Sequence, residues 1–187
     1  MFPARQINAY VLCGGASRRM GTDKALLPHP EGGTLLEHAV ALAAALGLEA
    51  TLLSGEAGRY RHLKLRELSD ARPDRGPLGG ITAALTDSGS SPALILPVDL
   101  PYLKTIHLKR LGAAYFSWKP DLAVATGPGG LQPVLGLWSP SSRVRVEAAM
   151  AAESRRLQDL LHELEVLLVR FSATALQNWN RPHDCRP

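Results

Sequence analysis

Cysteine is nearly absent from this chain: only Cys13 and Cys185 occur, with no CxxC spacing. That excludes a disulfide framework and a thiolate zinc site, and it fits a reducing compartment. Also missing is any apolar run of about 18 residues, the length a membrane-spanning helix needs. Residues Met1 to Gln6 carry no apolar core of the secretory kind. The expectation is a cytoplasmic protein with no membrane partner. Charge of one sign never accumulates into a block of roughly five or more residues, and Arg61-His62-Leu63-Lys64-Leu65-Arg66 is the nearest thing to a basic patch. No nucleic-acid partner is therefore expected, and the formal net charge of +4 suits polyanionic small molecules.

Several catalytic signatures are missing as well. His29, His38, His62, His107, His162 and His183 show neither HxH nor HExxH spacing, so they read as surface or structural residues rather than metal ligands. No GxSxG elbow or Cys/His arrangement supports nucleophilic catalysis. Neither of the two best-known phosphate signatures occurs, the P-loop GxxxxGKS/T or a GxGxxG that opens a helix. No internal repeat, low-complexity tract or linker breaks the 187 residues. That length suits one domain spanning residues 1–187, since domains commonly run to about 100–200 residues.

What is present begins at Leu12-Cys13-Gly14-Gly15-Ala16-Ser17-Arg18-Arg19-Met20-Gly21-Thr22-Asp23-Lys24, a glycine-rich, cation-rich loop after the apolar run Ile7 to Leu12. Gly14 and Gly15 have no Cβ, so backbone N–H groups can approach phosphate oxygens closely. Arg18, Arg19 and Lys24 add positive charge beside them. Ligands of open α/β sheets bind beyond the carboxyl ends of the strands, which is where this loop would sit.

The rest of the chain alternates apolar runs with helical patterns, the rhythm of a βαβ sheet covered on both faces. Thr34-Leu35-Leu36-Glu37 has capping-box spacing for a helix that stops at Gly47. Strands are expected at Ala50 to Leu53, Leu63 to Leu68, Ala93 to Val98, Leu122 to Ala125, Pro133 to Trp138 and Val166 to Phe171. Further helices are expected at Leu78 to Leu85 after Gly76-Pro77, Lys104 to Tyr115, Ser142 to Ala152 and Arg155 to Leu164, with Thr126 to Gly130 as a mobile loop.

Asp99 follows the buried run Leu94 to Val98, so it emerges at the carboxyl end of a central strand. Mg²⁺ needs only one or two protein carboxylates when phosphate oxygens complete its shell, and Asp99 on the same face as the basic loop meets that need. Asp70, at another strand end, is a candidate partner for a base or ribose and equally a turn cap. Gly76-Pro77-Leu78-Gly79-Gly80 offers a further close backbone approach, or a structural turn.

These motifs resemble those of the molybdenum cofactor guanylyltransferases. The opening loop is similar to that family's LAGGxSxRMGxDK pattern, with Cys13 where alanine is usual. Gly76-Pro77-Leu78-Gly79-Gly80, Pro97-Val98-Asp99-Leu100-Pro101, Gln132-Pro133-Val134 and Asn178-Trp179-Asn180-Arg181-Pro182-His183-Asp184 extend the likeness nearly end to end. The resemblance implies a three-layer α/β/α Rossmann-like nucleotidyltransferase fold with a mostly parallel central sheet. It implies transfer of GMP from GTP to the terminal phosphate of molybdopterin, with Mg²⁺ as cofactor and transient contacts with cofactor-biosynthesis proteins or molybdoenzyme chaperones. Lys24, Arg19 and Asp99 would be catalytic, with Asp99 holding the metal. Leu12, Cys13, Gly14, Gly15, Arg18, Lys24, Ser54, Asp70 and Asp99 would bind GTP, and Gln132, Asn178 and Asn180 would face the pterin. The alternatives are another base or acceptor for the same chemistry, such as cytidylyl transfer to molybdopterin or guanylyl transfer to a sugar phosphate, and a non-catalytic GTP-binding module.

Overall fold

The computed structural model describes residues 7–14, 23–56, 58–70, 72, 75–152 and 157–179. Among these residues seven strands, β1 (Asn8–Leu12), β2 (Ala50–Gly55), β3 (Glu67–Ser69), β4 (Ala93–Pro97), β5 (Leu122–Gly127), β6 (Gly130–Trp138) and β7 (Val166–Arg170), form one sheet in the order β3-β2-β1-β4-β6-β5-β7. Every pairing is parallel except those of β6, which runs antiparallel to β4 and β5. The expected α/β fold with a mostly parallel sheet is thus present.

Alternation along β1 shows how the two faces are filled. Successive strand side chains point to opposite sides. Ala9 and Val11 enter the apolar cluster beneath α1 (Leu35–Ala44) and α3 (Thr105–Trp118). Tyr10 enters a second cluster with α2 (Pro77–Ser88), α4 (Arg143–Ala151) and α5 (Leu157–Leu161). β4, inside the sheet, has Ala93, Leu94, Ile95 and Leu96 all fully buried, as a strand covered on both faces requires.

The helix signals hold where local chemistry supplies them. Thr34 Oγ1 accepts from the Glu37 N–H at 3.2 Å and Glu37 Oε2 accepts from the Thr34 N–H at 2.7 Å, completing the capping box of α1. Pro77 starts α2, where its missing N–H costs nothing, and Gly76 before it adopts φ +58°, a conformation side chains disfavour.

Three expectations need correction. Leu63 to Leu68 is not one strand: Arg61–Leu63 forms a 3-10 turn, Lys64 takes a left-handed φ of 53°, and β3 begins at Glu67. The leucine alternation there reflects Leu63 and Leu65 packing onto the α1-side core from a loop. The second correction is that Thr126 to Gly130 is a hairpin turn, because β5 and β6 pair to Gly127↔Gly130. Within β6 the pairing jumps from Val124↔Gly136 to Ala125↔Gln132, which accommodates Pro133, a residue unable to donate to a ladder. Finally, the last helix is shorter than Arg155 to Leu164 among the described residues, running only Leu157–Leu161.

Candidate active site

The site is built where β1, β2, β3 and β4 end. Lys24 lies on a 3-10 turn, Lys24–Leu26, whose N-cap Asp23 accepts from the Ala25 N–H at 3.1 Å. Asp99 lies just past the end of β4. Although 75 residues apart in sequence, Lys24 Nζ and Asp99 Oδ2 meet at 3.1 Å, with side chains 22% and 23% exposed. An ion pair of this exposure adds about 0–1 kcal/mol to stability. A cation and an anion held together at the mouth of a parallel sheet suit ligand chemistry better than stability.

Cys13 and Gly14 form the start of the glycine loop. Their N–H groups both donate to Leu53 O, at 3.2 and 2.7 Å. Of the two amides from which the sequence implies a cradle, Gly14 is already engaged by β2 and Gly15 lies outside the described residues. What Gly14 supplies is close approach: a Cβ there would stand 2.7 Å from Gly55 N and from Ser54 C. Burial pushes the Cys13 thiol up to about 12, against a weaker opposing pull from Arg59, so it stays a protonated thiol with no nucleophilic role.

One buried tyrosine ties the two described ends of that loop together. Tyr60 Oη lies 2.9 Å from Asp23 Oδ2 and 3.1 Å from Cys13 O, two acceptors around a single hydroxyl proton. Arg59 adds an ion pair to Asp23 at 3.0 Å. Burial, reinforced by the neighbouring Cys13 and Asp23, raises the phenol far above its ordinary value and keeps it a donor. Sequence reasoning missed Tyr60, because nothing in its local pattern distinguishes it from any other core aromatic.

Asp70 lies just past β3, packed against glycines. A Cβ at Gly79 would fall 3.3 Å from Asp70 Cβ, and one at Gly80 would fall 2.6 Å from Leu12 Cδ1. The absence of those side chains lets the first turn of α2 come down onto β1 and β3. Desolvation raises the Asp70 carboxyl above the usual carboxylate range. Ser54 is 1% exposed and its hydroxyl donates to Glu56 O at 2.9 Å, so its side chain serves the β2 turn.

The other side of the mouth is formed by β6 and the segment after β7. Asn178 Nδ2 donates to Gln132 Oε1 at 3.4 Å, and the Trp179 N–H donates to Asp99 O at 3.0 Å. Gln132 and Asn178 are thereby brought together beside the Asp99 segment. Gly15, Arg18, Arg19 and Asn180 lie outside the described residues. Among the described residues no cluster of three or more His, Cys, Asp or Glu side chains gathers to bind a metal. The single carboxylate of Asp99 fits Mg²⁺, which takes most of its ligands from phosphate and water, and would not suffice for a tight all-protein calcium or zinc cage.

Residues 9–167 match the family model described as MobA-like NTP transferase domain. The chain belongs to this family. A probable molybdenum cofactor guanylyltransferase from Rhodopirellula baltica is 33% identical over 187 residues, covering 95% of this chain and 89% of that protein. A molybdenum cofactor guanylyltransferase from Xanthomonas euvesicatoria is 36% identical over 166 residues, covering 88% and 82%. The crystal structure of molybdopterin-guanine dinucleotide biosynthesis protein A from Archaeoglobus fulgidus superposes with a TM-score of 0.80 at 20% identity, covering 95% of this chain and 94% of that one. That likeness is one of fold. Among the described residues no helix is long and apolar enough to cross a membrane.

Proposed function

We propose that this chain, as a single nucleotidyltransferase domain over residues 1–187, transfers GMP from GTP to the terminal phosphate of molybdopterin, releasing diphosphate. The observation that carries this reading is the pair formed by Lys24, on its 3-10 turn, and Asp99, just past the end of β4, in a chain whose relatives bear the name of that activity. In the reaction an oxygen of the acceptor phosphate forms a bond to the α-phosphorus while the α–β bridging bond breaks, and diphosphate leaves with the electron pair. A phosphomonoester with a second pKa of about 6 is already largely dianionic at neutral pH, so the acceptor needs no strong general base. The protein's task is alignment and charge neutralisation.

Lys24 would neutralise charge on the α-phosphoryl group and the departing diphosphate, with Arg18 and Arg19 assigned to the β- and γ-phosphates. Asp99 would hold Mg²⁺, which when bound neutralises and orients phosphate oxygens. Asp70 and the glycine edge of Leu12, Cys13, Gly14 and Gly15 would accommodate base and ribose, and Gln132, Asn178 and Asn180 the pterin. A cytoplasmic setting and transient hand-over contacts with cofactor-biosynthesis proteins or molybdoenzyme chaperones belong to the same reading.

The test is direct. Purified protein is incubated with Mg²⁺, molybdopterin and each nucleoside triphosphate in turn, and both diphosphate and the dinucleotide product are quantified. GTP is expected to give both, and Lys24→Ala to lower turnover by roughly 10²–10³-fold. Equal product from CTP, or no diphosphate from any triphosphate, overturns the reading.

A further inference from the structure

The Lys24–Asp99 distance is set by side chains on two separate loops, and a part-exposed ion pair is too weak to fix it. Two stacked histidines outside the reacting groups reach the Asp99 segment, one from the Lys24 segment and one from α1. His29, five residues after Lys24 and 6% exposed, has Nε2 at 2.8 Å from Pro101 O, two residues after Asp99. His38, on α1, has Nε2 at 3.1 Å from Leu103 O in the same segment. The two rings stack, with centroids 4.0 Å apart and planes 13° from parallel.

Hydrogen bonds assign the tautomer of His29 and the Nε2 proton of His38, whose charged form burial disfavours. A carbonyl oxygen only accepts, so each Nε2 carries a hydrogen. Nδ1 of His29 accepts from the Glu31 N–H at 3.1 Å, so it carries none, and His29 is neutral with its proton on Nε2. Protonating Nδ1 would set a donor against a donor and place charge beside a second imidazole. The segment bearing His29 is itself rigid: His29 N–H donates to Gly33 O at 2.9 Å, Gly32 N–H donates to His29 O at 3.0 Å, and Leu35 N–H donates to Leu27 O at 3.0 Å. A stiff turn beside Lys24 is thus bonded through imidazoles to the turn beside Asp99.

We propose that His29 and His38 are positioning residues for phosphoryl transfer, acting as a neutral imidazole cross-link that holds the Lys24 segment at a fixed distance from the Asp99 segment. This rests on the reading of Lys24 and Asp99 as the two sides of the triphosphate site. Neither histidine touches the reacting atoms. Their effect is on alignment, where a displacement of about 1 Å can cost on the order of 10²-fold in rate.

Two substitutions at position 29 separate this role from a merely local one. His29→Asn keeps an acceptor for the Glu31 N–H, in the manner of an Asx turn, but cannot reach Pro101 O. His29→Gln keeps a donor near the Nε2 position. With GTP, molybdopterin and Mg²⁺, H29N is expected to lower kcat by about 10–100-fold with little change in the KM for GTP, and H29Q to recover most of it. Wild-type kcat in H29N, a loss in H29Q alone, or equal losses in both overturns the cross-link. Lys24→Ala run in parallel distinguishes the two levels of failure: if it keeps full activity, the site reading itself has failed. ¹⁵N NMR of the wild-type histidines provides a measurement independent of turnover and of whether the variants fold. A neutral Nε2–H tautomer for both rings at neutral pH supports the proposal, and a proton on Nδ1 of His29 overturns it.

Discussion

Replacing Gly14 by alanine would drive a methyl group into the end of β2. The added Cβ would stand 2.7 Å from Gly55 N, 2.7 Å from Ser54 C and 2.8 Å from Ser54 O, where favourable carbon contacts begin at about 3.5 Å. All three are backbone atoms, and β2 cannot withdraw because it is laddered to β1 on one side and β3 on the other. The loop must lift instead, which breaks the 2.7 Å bond from Gly14 N–H to Leu53 O. Overpacking of this kind costs about 1–3 kcal/mol, and the lost backbone bond adds about 1 kcal/mol. At about 2–4 °C per kcal/mol for a chain of this size, the melting temperature should fall by roughly 5–15 °C. GTP affinity, read by calorimetry below the melting transition, should fall as well, because the same displacement moves the loop that leads to Lys24. Gly129→Ala is the control: no atom lies within 4 Å of its Cβ position, so its stability should stay within about 0.5 kcal/mol of the parent. A G14A protein that melts and binds GTP like the parent would refute the close-approach argument.

Asp70→Asn should raise the melting temperature at pH 7 while weakening GTP binding. Because burial puts the folded pKa of Asp70 above its unfolded value, the folded state holds the proton more tightly, and stability declines as pH rises from about 4 through the folded pKa. The stability advantage of the asparagine variant should therefore be complete above that range and vanish below it; a difference independent of pH would contradict this. Tyr60→Phe removes the hydroxyl between Asp23 and Cys13 and should cost about 1.5–3 kcal/mol, the usual range for a hydrogen bond to a charged group, with a raised KM for GTP. Unchanged thermal melting and kinetics would show that the loop ends do not depend on that hydroxyl.

Legibility in the sequence followed how local each signal was. The capping box of α1, Pro77 at the start of α2 and the wholly apolar run of β4 each carry their cause within a few residues, and each was readable. Asp99 was readable for the same reason, since a carboxylate directly after a buried strand has little choice of location. The β5–β6 reversal was not, because Gly127-Pro128-Gly129-Gly130 announces a turn without announcing that the flanking strands pair. Leu63 and Leu65 misled because alternating leucines pack equally well from a loop that crosses a core. Tyr60, His29 and His38 act through backbone carbonyls tens of residues away, and such partners leave no trace in spacing. Gly15, Arg18, Arg19 and Asn180 lie outside the described residues, so their roles stand as proposed.

The reversed strand has a consequence for how this architecture can change. In a parallel sheet each wall of the site is tied to a long crossover, so altering one wall disturbs a helix and a strand together. β6 instead enters the site at its beginning: Gln132 lies near the turn, while the far end pairs with the start of β4 through Trp138↔Ala93. The hairpin's tip, its bulge at Pro133 and the neighbouring Asn178 segment can therefore be lengthened, tilted or repopulated with new side chains while β1 and β4 keep their register and the turns bearing Lys24 and Asp99 stay in place. With the residue roles proposed above, donor chemistry and acceptor choice would be separable units of inheritance in such a molecule, one gathered past the ends of β1 and β4 and the other hung on a two-residue turn.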